Sequence, residues 1–305
     1  MSEMGLWTEH TAEGERRLHV TRLVARATTA YSQVEIIDTP AYGRLLALDG
    51  HVQSAASDEA VYHEALVAPA FVLAARSPRQ VAILGGGEGA TLREVLGFVS
   101  VERCVMIDID AALVELCREH MPGWSMGAFE DPRTELRVGD ARAWLEGAGA
   151  ERFDLIIGDL PDPEAGCPLQ ELYSRQCFTR VRERLAPGGL FVTQAGGMLA
   201  TAPDGLAASQ VVATARAVFG EHVDIYARHV PSFRDLSYSV IAGLEPLPAL
   251  SAADIDARLK ARREPRRPTR SYDGETHRHM FAAPAELRAA LARDARVISD
   301  READR

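Results

Sequence analysis

Side chains able to do chemistry are concentrated in a glycine-rich turn, Gly85-Gly86-Gly87-Glu88-Gly89, and in acidic positions downstream: Asp108, Asp140, and the pair Asp159 and Asp162. Glycines such as Gly85 and Gly87 let a main chain approach a ligand closely and take positive φ values that a side chain would hinder. Asp108 lies 19 residues beyond Gly89, the distance at which an acid ending a second strand accepts from both hydroxyls of a ribose. Without a 2′-phosphate site this suits an adenosine as well as NAD. Asp140 follows a third apolar run and suits either an adenine amino group or the cap of a helix. Asp159-Leu160-Pro161-Asp162-Pro163 puts two carboxylates on one short loop whose prolines restrict the backbone. Together with Glu88 they make three acids predicted to converge on one sheet edge, where they repel and raise one another's pKa unless a cation lies between them. No histidine occurs in these loops, and an all-carboxylate magnesium site usually draws on substrate phosphates as well. A polyamine therefore fits the pattern better than a metal. Turn-capping aspartates are the structural alternative.

These residues need a frame that brings them together. Val81 to Leu84 runs into the glycine turn, after which Leu92, Val95, Leu96 and Val99 fall at helical spacing. The strand, loop and helix pattern repeats at Cys104 to Ile107, at Leu136 to Val138 and at Phe153 to Ile157, each run followed by an acid. This alternation predicts an α/β fold, a parallel sheet covered by helices on both faces, and ligands bind such sheets at the carboxyl ends of the strands. A further strand is expected at Leu190 to Thr193, a helix over Leu206 to Phe219, and a closing strand pair at Val223 to Tyr226 and Leu236 to Ala242. Before all of this, Leu18 to Gln53 is rich in β-branched and aromatic residues and broken by turn signals at Thr39-Pro40, Tyr42-Gly43 and Asp49-Gly50, so it reads as a small antiparallel β unit. A helical stretch from about Asp58 to Ala75 follows and carries Asp58-Glu59 and Tyr62-His63-Glu64. The predicted division is an N-terminal β domain over 1–58 and a catalytic domain over 59–305. The basic run Arg262 to Arg270 (RREPRRPTR) reads as a solvated linker, the alternative being a phosphate-binding patch.

The 305 residues, 47% of them apolar, suffice for one large or two ordinary domains. Thirty-four basic against 44 acidic side chains leave a net charge of −10, which disfavours nucleic acid and anionic membranes and welcomes cations. No apolar run reaches a membrane-spanning length, and the first residues lack a signal-peptide core, so a cytoplasmic protein is expected. Cys104, Cys117, Cys167 and Cys177 show no metal spacing and read as reduced thiols.

Taken together, the motifs resemble the polyamine aminopropyltransferases, the spermidine synthase family. The matching residues are YG-x-L-x-x-LDG-x-x-Q (Tyr42 to Gln53), DE-x-x-YHE (Asp58 to Glu64), GGGEG (Gly85 to Gly89), DID (Asp108 to Asp110), FEDPR (Phe129 to Arg133) and D-x-x-DP (Asp159 to Pro163). The resemblance spans nearly the whole chain. It implies a Rossmann-like, methyltransferase-type domain behind a small β domain, a homodimer or homotetramer, and decarboxylated S-adenosylmethionine as co-substrate, with no metal. By the same resemblance Asp159 is the general base; Asp108 binds the ribose, and Asp140 and Ala141 contact the adenine. Gly85 and Gly87 line the nucleoside, Gln53 and Tyr62 form pocket wall, and His63, Glu88 and Asp162 bind the amine acceptor. Leu160 to Tyr173 is a flap with Pro168 near the nucleoside. Three positions depart from the family pattern. Gln33 is one place off, in Tyr31-Ser32-Gln33; Glu88 replaces the usual Asp; and Phe233 replaces a Tyr in the acceptor site. Within the family the resemblance is to the thermospermine synthase branch, through Gly87-Glu88-Gly89, Gly158-Asp159-Leu160, Val192 to Gly196, Val230-Pro231-Ser232-Phe233 and Tyr272-Asp273-Gly274. Extension of spermidine to thermospermine is the expected reaction, with spermidine synthesis and agmatine aminopropylation as alternatives. An S-adenosylmethionine methyltransferase would share the sheet, the glycine turn and the ribose acid without needing the YHE unit or the second loop aspartate. A catalytically silent nucleoside or polyamine sensor would keep the pocket and lose the base.

Overall fold

The computed structural model describes residues 5–11, 14–147, 151–162, 168–197, 207–283, 285–293 and 296–300. The chain opens with β1 (Gly5–Thr11) and β2 (Gly14–Val20), a hairpin, followed by β3 (Arg22–Thr28), β4 (Gln33–Thr39), β5 (Gly43–Leu48) and β6 (His51–Ala55), an antiparallel four-stranded meander. Alternation along the meander decides which side each residue faces. Val34, Ile36 and Leu46 pack down on Leu113, Cys117, Met121 and Trp124, whereas Ile37, Leu45 and Ala47 pack up against Trp7, Leu18 and Val20 of the hairpin. The β unit therefore extends further toward the N-terminus than the predicted start at Leu18, its hairpin covering the face the meander would otherwise expose.

After α1 (Glu59–Leu73) come β7 (Gln80–Gly85), α2 (Ala90–Leu96), β8 (Arg103–Asp108), α3 (Ala111–His120), α4 (Pro122–Ser125), β9 (Thr134–Val138), α5 (Ala141–Glu146), β10 (Phe153–Asp159), α6 (Arg175–Arg184), β11 (Leu185–Gly196), α7 (Ala208–Phe219), β12 (Val223–Val230) and β13 (Asp235–Gly243). Among the described residues their strands form one seven-stranded sheet in the order β12-β13-β11-β10-β7-β8-β9. The β7 to β11 neighbours are parallel, and β13 runs antiparallel to β11 and β12. Odd and even positions of one strand face opposite layers. Val81 and Ile83 join Leu155, Ile157, Val192 and Ile241 beneath α1 and α2, while Ala82 and Leu84 join Ile156, Phe191, Val240 and Ala242 beneath α5, α6 and α7. Both faces are covered, as the near-continuous apolar runs require. The order reverses direction at β7, which lies between β10 and β8. That switch point opens a crevice at the strand ends, and the glycine turn and Asp159 sit there.

The segment Arg262 to Arg270 corrects a prediction, because it is not a solvated linker. Arg262, the last residue of α8 (Ala252–Arg262), donates to the carbonyls of Phe71 and Ala74 at 2.5 and 2.9 Å. Arg263 is buried in an ion pair with Glu94, and Arg270 meets Glu59 at 2.5 Å while its backbone N–H donates to Glu64. Only 265–268 is fully exposed between them. The physical reason is that α1 and α2 bury three carboxylates, Glu59, Glu64 and Glu94, and a buried charge must be paired or hydrogen-bonded. Helices α9 (Gly274–Met280) and α10 (Ala285–Arg293) complete the C-terminal part. No helix among the described residues is long and apolar enough to cross a membrane.

Candidate active site

At the switch point the backbones of β7 and β10 almost touch. Gly86 N–H donates to the Asp159 carbonyl at 2.9 Å. Gly85 has φ +82°, and a Cβ placed there would lie 2.2 Å from the same carbonyl oxygen, so no other residue fits without moving a strand. A Cβ on Gly87 would meet Asp108 Oδ2 at 2.9 Å. The glycine turn thus brings Asp159 and Asp108 against the same five residues.

Asp159 ends β10 and is held by two hydroxyls from elsewhere in the chain. Tyr62 Oη donates to Oδ1 at 3.0 Å and Thr91 Oγ1 to Oδ2 at 2.7 Å. Each carboxylate oxygen keeps a further lone pair. Burial and the nearby Asp159 and Asp162 charges raise the Tyr62 pKa well above its ordinary value, so the phenol stays a donor. Asp162 lies on the exposed side of the loop, with its carboxylate 3.5 Å from where a Cβ on Gly196 would be. Tyr173 and Gln194 brace this loop: Tyr173 Oη donates to the Pro161 carbonyl at 3.0 Å, and Gln194 Nε2 donates to the Leu160 carbonyl at 2.7 Å and to Tyr173 Oη at 2.8 Å. Phe233 packs edge-on against Tyr62, the ring centroids 5.6 Å apart.

Glu88 is placed differently from a free acceptor ligand. It is buried, and its Oε1 lies 2.6 Å from His63 Nε2. His63 Nδ1 is 2.6 Å from the Glu59 carbonyl oxygen, which can only accept, so this nitrogen carries hydrogen. Burial alone would lower the His63 pKa, but Glu88 and Glu59 outweigh it and raise it to about 10. The acidic cluster therefore contains its own cation, delivered by a helix remote in sequence from the acidic loops. Burial pushes the Glu88 carboxyl up while His63 pulls it down, and burial prevails. Behind His63 the pairing continues inward. Glu59 meets Arg93 at 2.6 Å, and Arg93 meets Glu94 at 2.9 Å. Burial would raise the Glu59 pKa, but the bonds to His63 and Arg93 hold it below the ordinary carboxylate range.

On the other side of the crevice, Asp108 is 7% exposed and accepts from Asp110 N–H at 2.8 Å. Burial is the main cause of a pKa raised to about 6. The Asp108 carbonyl accepts from Gly139 N–H at 2.9 Å, which sets Asp140 and Ala141 beside it on the rim. Asp140 caps α5, accepting from Arg142 N–H at 2.8 Å, so the capping role is visible in the structure. Asp110 caps α3 and accepts from Thr29 Oγ1 at 2.5 Å, pinning to this rim the turn that precedes Gln33. Gln33 itself is exposed. Gln53 is half-buried in β6, its amide 3.4 Å from the His51 carbonyl, and no hydrogen bond joins it to the strand-end acids. Pro168 begins a 3₁₀ turn that runs to Tyr173. Residues 163–167 of the expected flap, Cys167 among them, lie outside the described residues.

Sequence reading missed Thr91 and Arg93, and placed Glu59 in the DE-x-x-YHE motif without assigning it a role. Thr91 had a signal: it falls two residues after the glycine turn, in the first turn of α2 facing the crevice. Arg93 had none beyond being a charge on a helix.

Residues 59–246 match the spermine/spermidine synthase domain, and residues 6–55 match the spermidine synthase tetramerisation domain. A polyamine aminopropyltransferase of Synechococcus sp. (strain JA-2-3B'a(2-13)) is 40% identical over 286 residues, covering 92% of this chain and 90% of that protein. Polyamine aminopropyltransferase 2 of Pseudomonas aeruginosa is 42% identical over 281 residues, covering 92% and 78%. Among solved structures, a spermidine synthase in complex with the transition-state analogue AdoDATO superposes with a TM-score of 0.84 at 23% identity, covering 95% of this chain and 96% of that one. The last shows the fold, and the first two, with the domain match, show the kinship: the chain belongs to the spermine/spermidine synthase family of aminopropyltransferases.

Proposed function

We propose that the chain moves an aminopropyl group from decarboxylated S-adenosylmethionine to spermidine, giving thermospermine and methylthioadenosine. The amine nitrogen forms a bond to the aminopropyl carbon beside the sulfonium, and the carbon–sulfur bond breaks with its electron pair leaving on sulfur. An amine with a pKa near that of lysine, about 10.4, is protonated at neutral pH and cannot attack. Its proton must go to an acceptor at the site. Asp159 is the residue we assign, because Tyr62 and Thr91 fix both its oxygens at the crevice while each retains a free lone pair. On the donor side, Asp108 would accept from the ribose, with Asp140 and Ala141 at the adenine and Gln33 and Gln53 at the outer wall. Asp162 would hold a distal ammonium group.

The observation that carries the triamine reading is the contact of Phe233 with Tyr62. It puts an apolar wall, without a hydroxyl, next to the tyrosine that holds Asp159. A short diamine gains little there, whereas the methylene chain of a longer amine gains about 0.8 kcal/mol per buried CH₂. Glu88, in the place of the usual Asp, is engaged by His63. Its role becomes indirect, holding the imidazolium beside Tyr62.

We also place the domain boundary at 58/59 and infer a homo-oligomer, which the tetramerisation-domain match of residues 6–55 supports. Light scattering on the purified chain tests this. The acceptor is tested by competing equal concentrations of putrescine, agmatine, spermidine and norspermidine, with chromatographic separation of spermine from thermospermine. Spermidine should be consumed first and thermospermine formed. Putrescine giving the highest kcat/KM would overturn the triamine assignment and leave the aminopropyl chemistry standing.

A further inference from the structure

Asp58 immediately precedes α1, where an aspartate ordinarily accepts from the N–H groups of the first helical turn. It makes no such bond. Its carboxylate reaches instead to the turn between β12 and β13, where Oδ2 accepts from Ser232 N–H at 2.6 Å and Oδ1 from Ser232 Oγ at 2.9 Å. Arg16 of β2 grips the same residue from the other side, its Nη1 donating to the Ser232 carbonyl at 2.6 Å. Arg16 is in turn paired with Glu9 at 3.1 Å, and the other Glu9 oxygen accepts from Val52 N–H at 2.8 Å. Ser232 is fully buried, and its N–H, hydroxyl and carbonyl are all taken. The following residues are Phe233, edge-on to Tyr62, and Arg234, whose φ of +59° lies in the left-handed region. That conformation is unfavourable for a residue with a Cβ. Asp58 forgoes its helix cap and, with Arg16, ties Ser232 of this turn from two sides.

We propose that Asp58, assisted by Arg16, is a positioning residue for acceptor choice: by clamping Ser232 it holds Phe233 against Tyr62 and so sets which amine seats its terminal nitrogen at Asp159. The inference rests on the aminopropyltransferase reading. It differs from a merely structural role because it predicts a change in the ratio between acceptors, which loss of stability alone would not produce.

The test uses the full chain carrying Asp58→Ala, Ser232→Ala or Asp58→Asn, each alone and with Phe233→Ala. The readings are the acceptor KM for spermidine and for putrescine, the donor KM, and the melting temperature. Asp58→Ala should raise the spermidine KM about tenfold, as loss of bonds to a charged group would, and move the spermidine-to-putrescine preference, with the donor KM within about twofold. Ser232→Ala should shift the preference in the same direction by less. Asp58→Asn should restore most of it, since the amide oxygen still accepts from Ser232 N–H. In the Phe233→Ala background Asp58→Ala should leave the preference where Phe233→Ala alone puts it. If Asp58→Ala does not fold, Ser232→Ala carries the same comparison after loss of a single hydroxyl. An unchanged preference in a folded variant, or an equal shift with and without Phe233, overturns the inference. Failure of the unaltered protein to transfer to any amine overturns the underlying reading as well, and shows before any variant is compared.

Discussion

The two sides of the crevice are built on different principles. Around Asp108 the polar contacts are short-range in sequence and mostly to backbone: Asp108 accepts from Asp110 N–H, Asp110 caps α3, and Asp140 caps α5. Around Asp159 they are side chain to side chain and join distant segments, Tyr62 from α1 and Thr91 from α2, with His63 and Glu88 beside them. The first arrangement makes a receptive rim, a carboxylate whose backbone contact leaves it open to a ligand's hydroxyls. The second makes a held one, in which the Asp159 carboxylate cannot rotate without breaking contacts to two helices. The difference suits a site where one substrate is recognised by shape and the other must be aimed.

Breaking the held side should cost most. Asp159→Asn keeps the side chain's shape, leaves one accepting oxygen in place of two and loses the proton acceptor, so turnover at saturating amine should fall about 10²–10⁴-fold with donor binding retained; steady-state kinetics beside donor calorimetry check this. More than half the wild-type rate would remove Asp159 from the role. Next comes the buried chain behind His63. Arg93→Met removes the cation shared by Glu59 and Glu94 and leaves Arg270 and His63 on the first and Arg263 on the second; it should cost about 1.5–3 kcal/mol of stability, read by urea unfolding. A loss under about 1 kcal/mol would show that the pairs are relaxed by water or by Arg270 and Arg263.

The receptive side should respond through donor binding alone. Asp108→Asn should weaken donor affinity by about 1.5–3 kcal/mol, the worth of hydrogen bonds to a charged acceptor, and leave the amine KM unchanged. The wild-type carboxyl also makes a pH prediction. Its folded value, about 6, lies above its ordinary 3.8, so the unliganded fold prefers it protonated. This group's contribution to stability is present at low pH and is lost as pH rises through 6. A donor that needs the ionised form pulls the other way, so its Kd should tighten as pH rises through 6 and then level off; calorimetry should find no such inflection in Asp108→Asn. The smallest effect belongs to Thr91→Val, which removes one of two donors to Asp159 and should lower kcat about tenfold or less. A change in donor Kd instead would mean that Thr91 serves the other side.

The same contrast governs what the sequence discloses. The receptive rim was legible because its logic is local: a glycine turn, an acid at a fixed spacing beyond it, and aspartates at helix starts. The sheet was legible for the same reason, its apolar runs alternating with helical periods. The held side was legible only in part. Asp159 and Asp162 stood out as two acids on one loop, and Tyr62 and Phe233 came from resemblance to known motifs; Thr91 and the Glu59–Arg93 pair were not read, since the place of Thr91 beside the glycine turn does not name an aspartate 68 positions later as its partner. The basic stretch from Arg262 was misread for the reverse reason. Its composition is that of a surface, and its partners are carboxylates on helices that end more than 150 residues earlier.

That stretch has a bearing on the stability of truncated chains. Glu59, Glu64 and Glu94 belong to the first helices of the sheet domain, and Arg263, Arg270 and the N–H of Ser271 come more than 150 residues later in the chain. Without that segment Glu59 and Glu94 still have Arg93, but Glu64 must stay in water or be buried without its hydrogen-bond donors. Chains cut short of residue 262 should therefore be more open to protease around α1 than chains extended past residue 271.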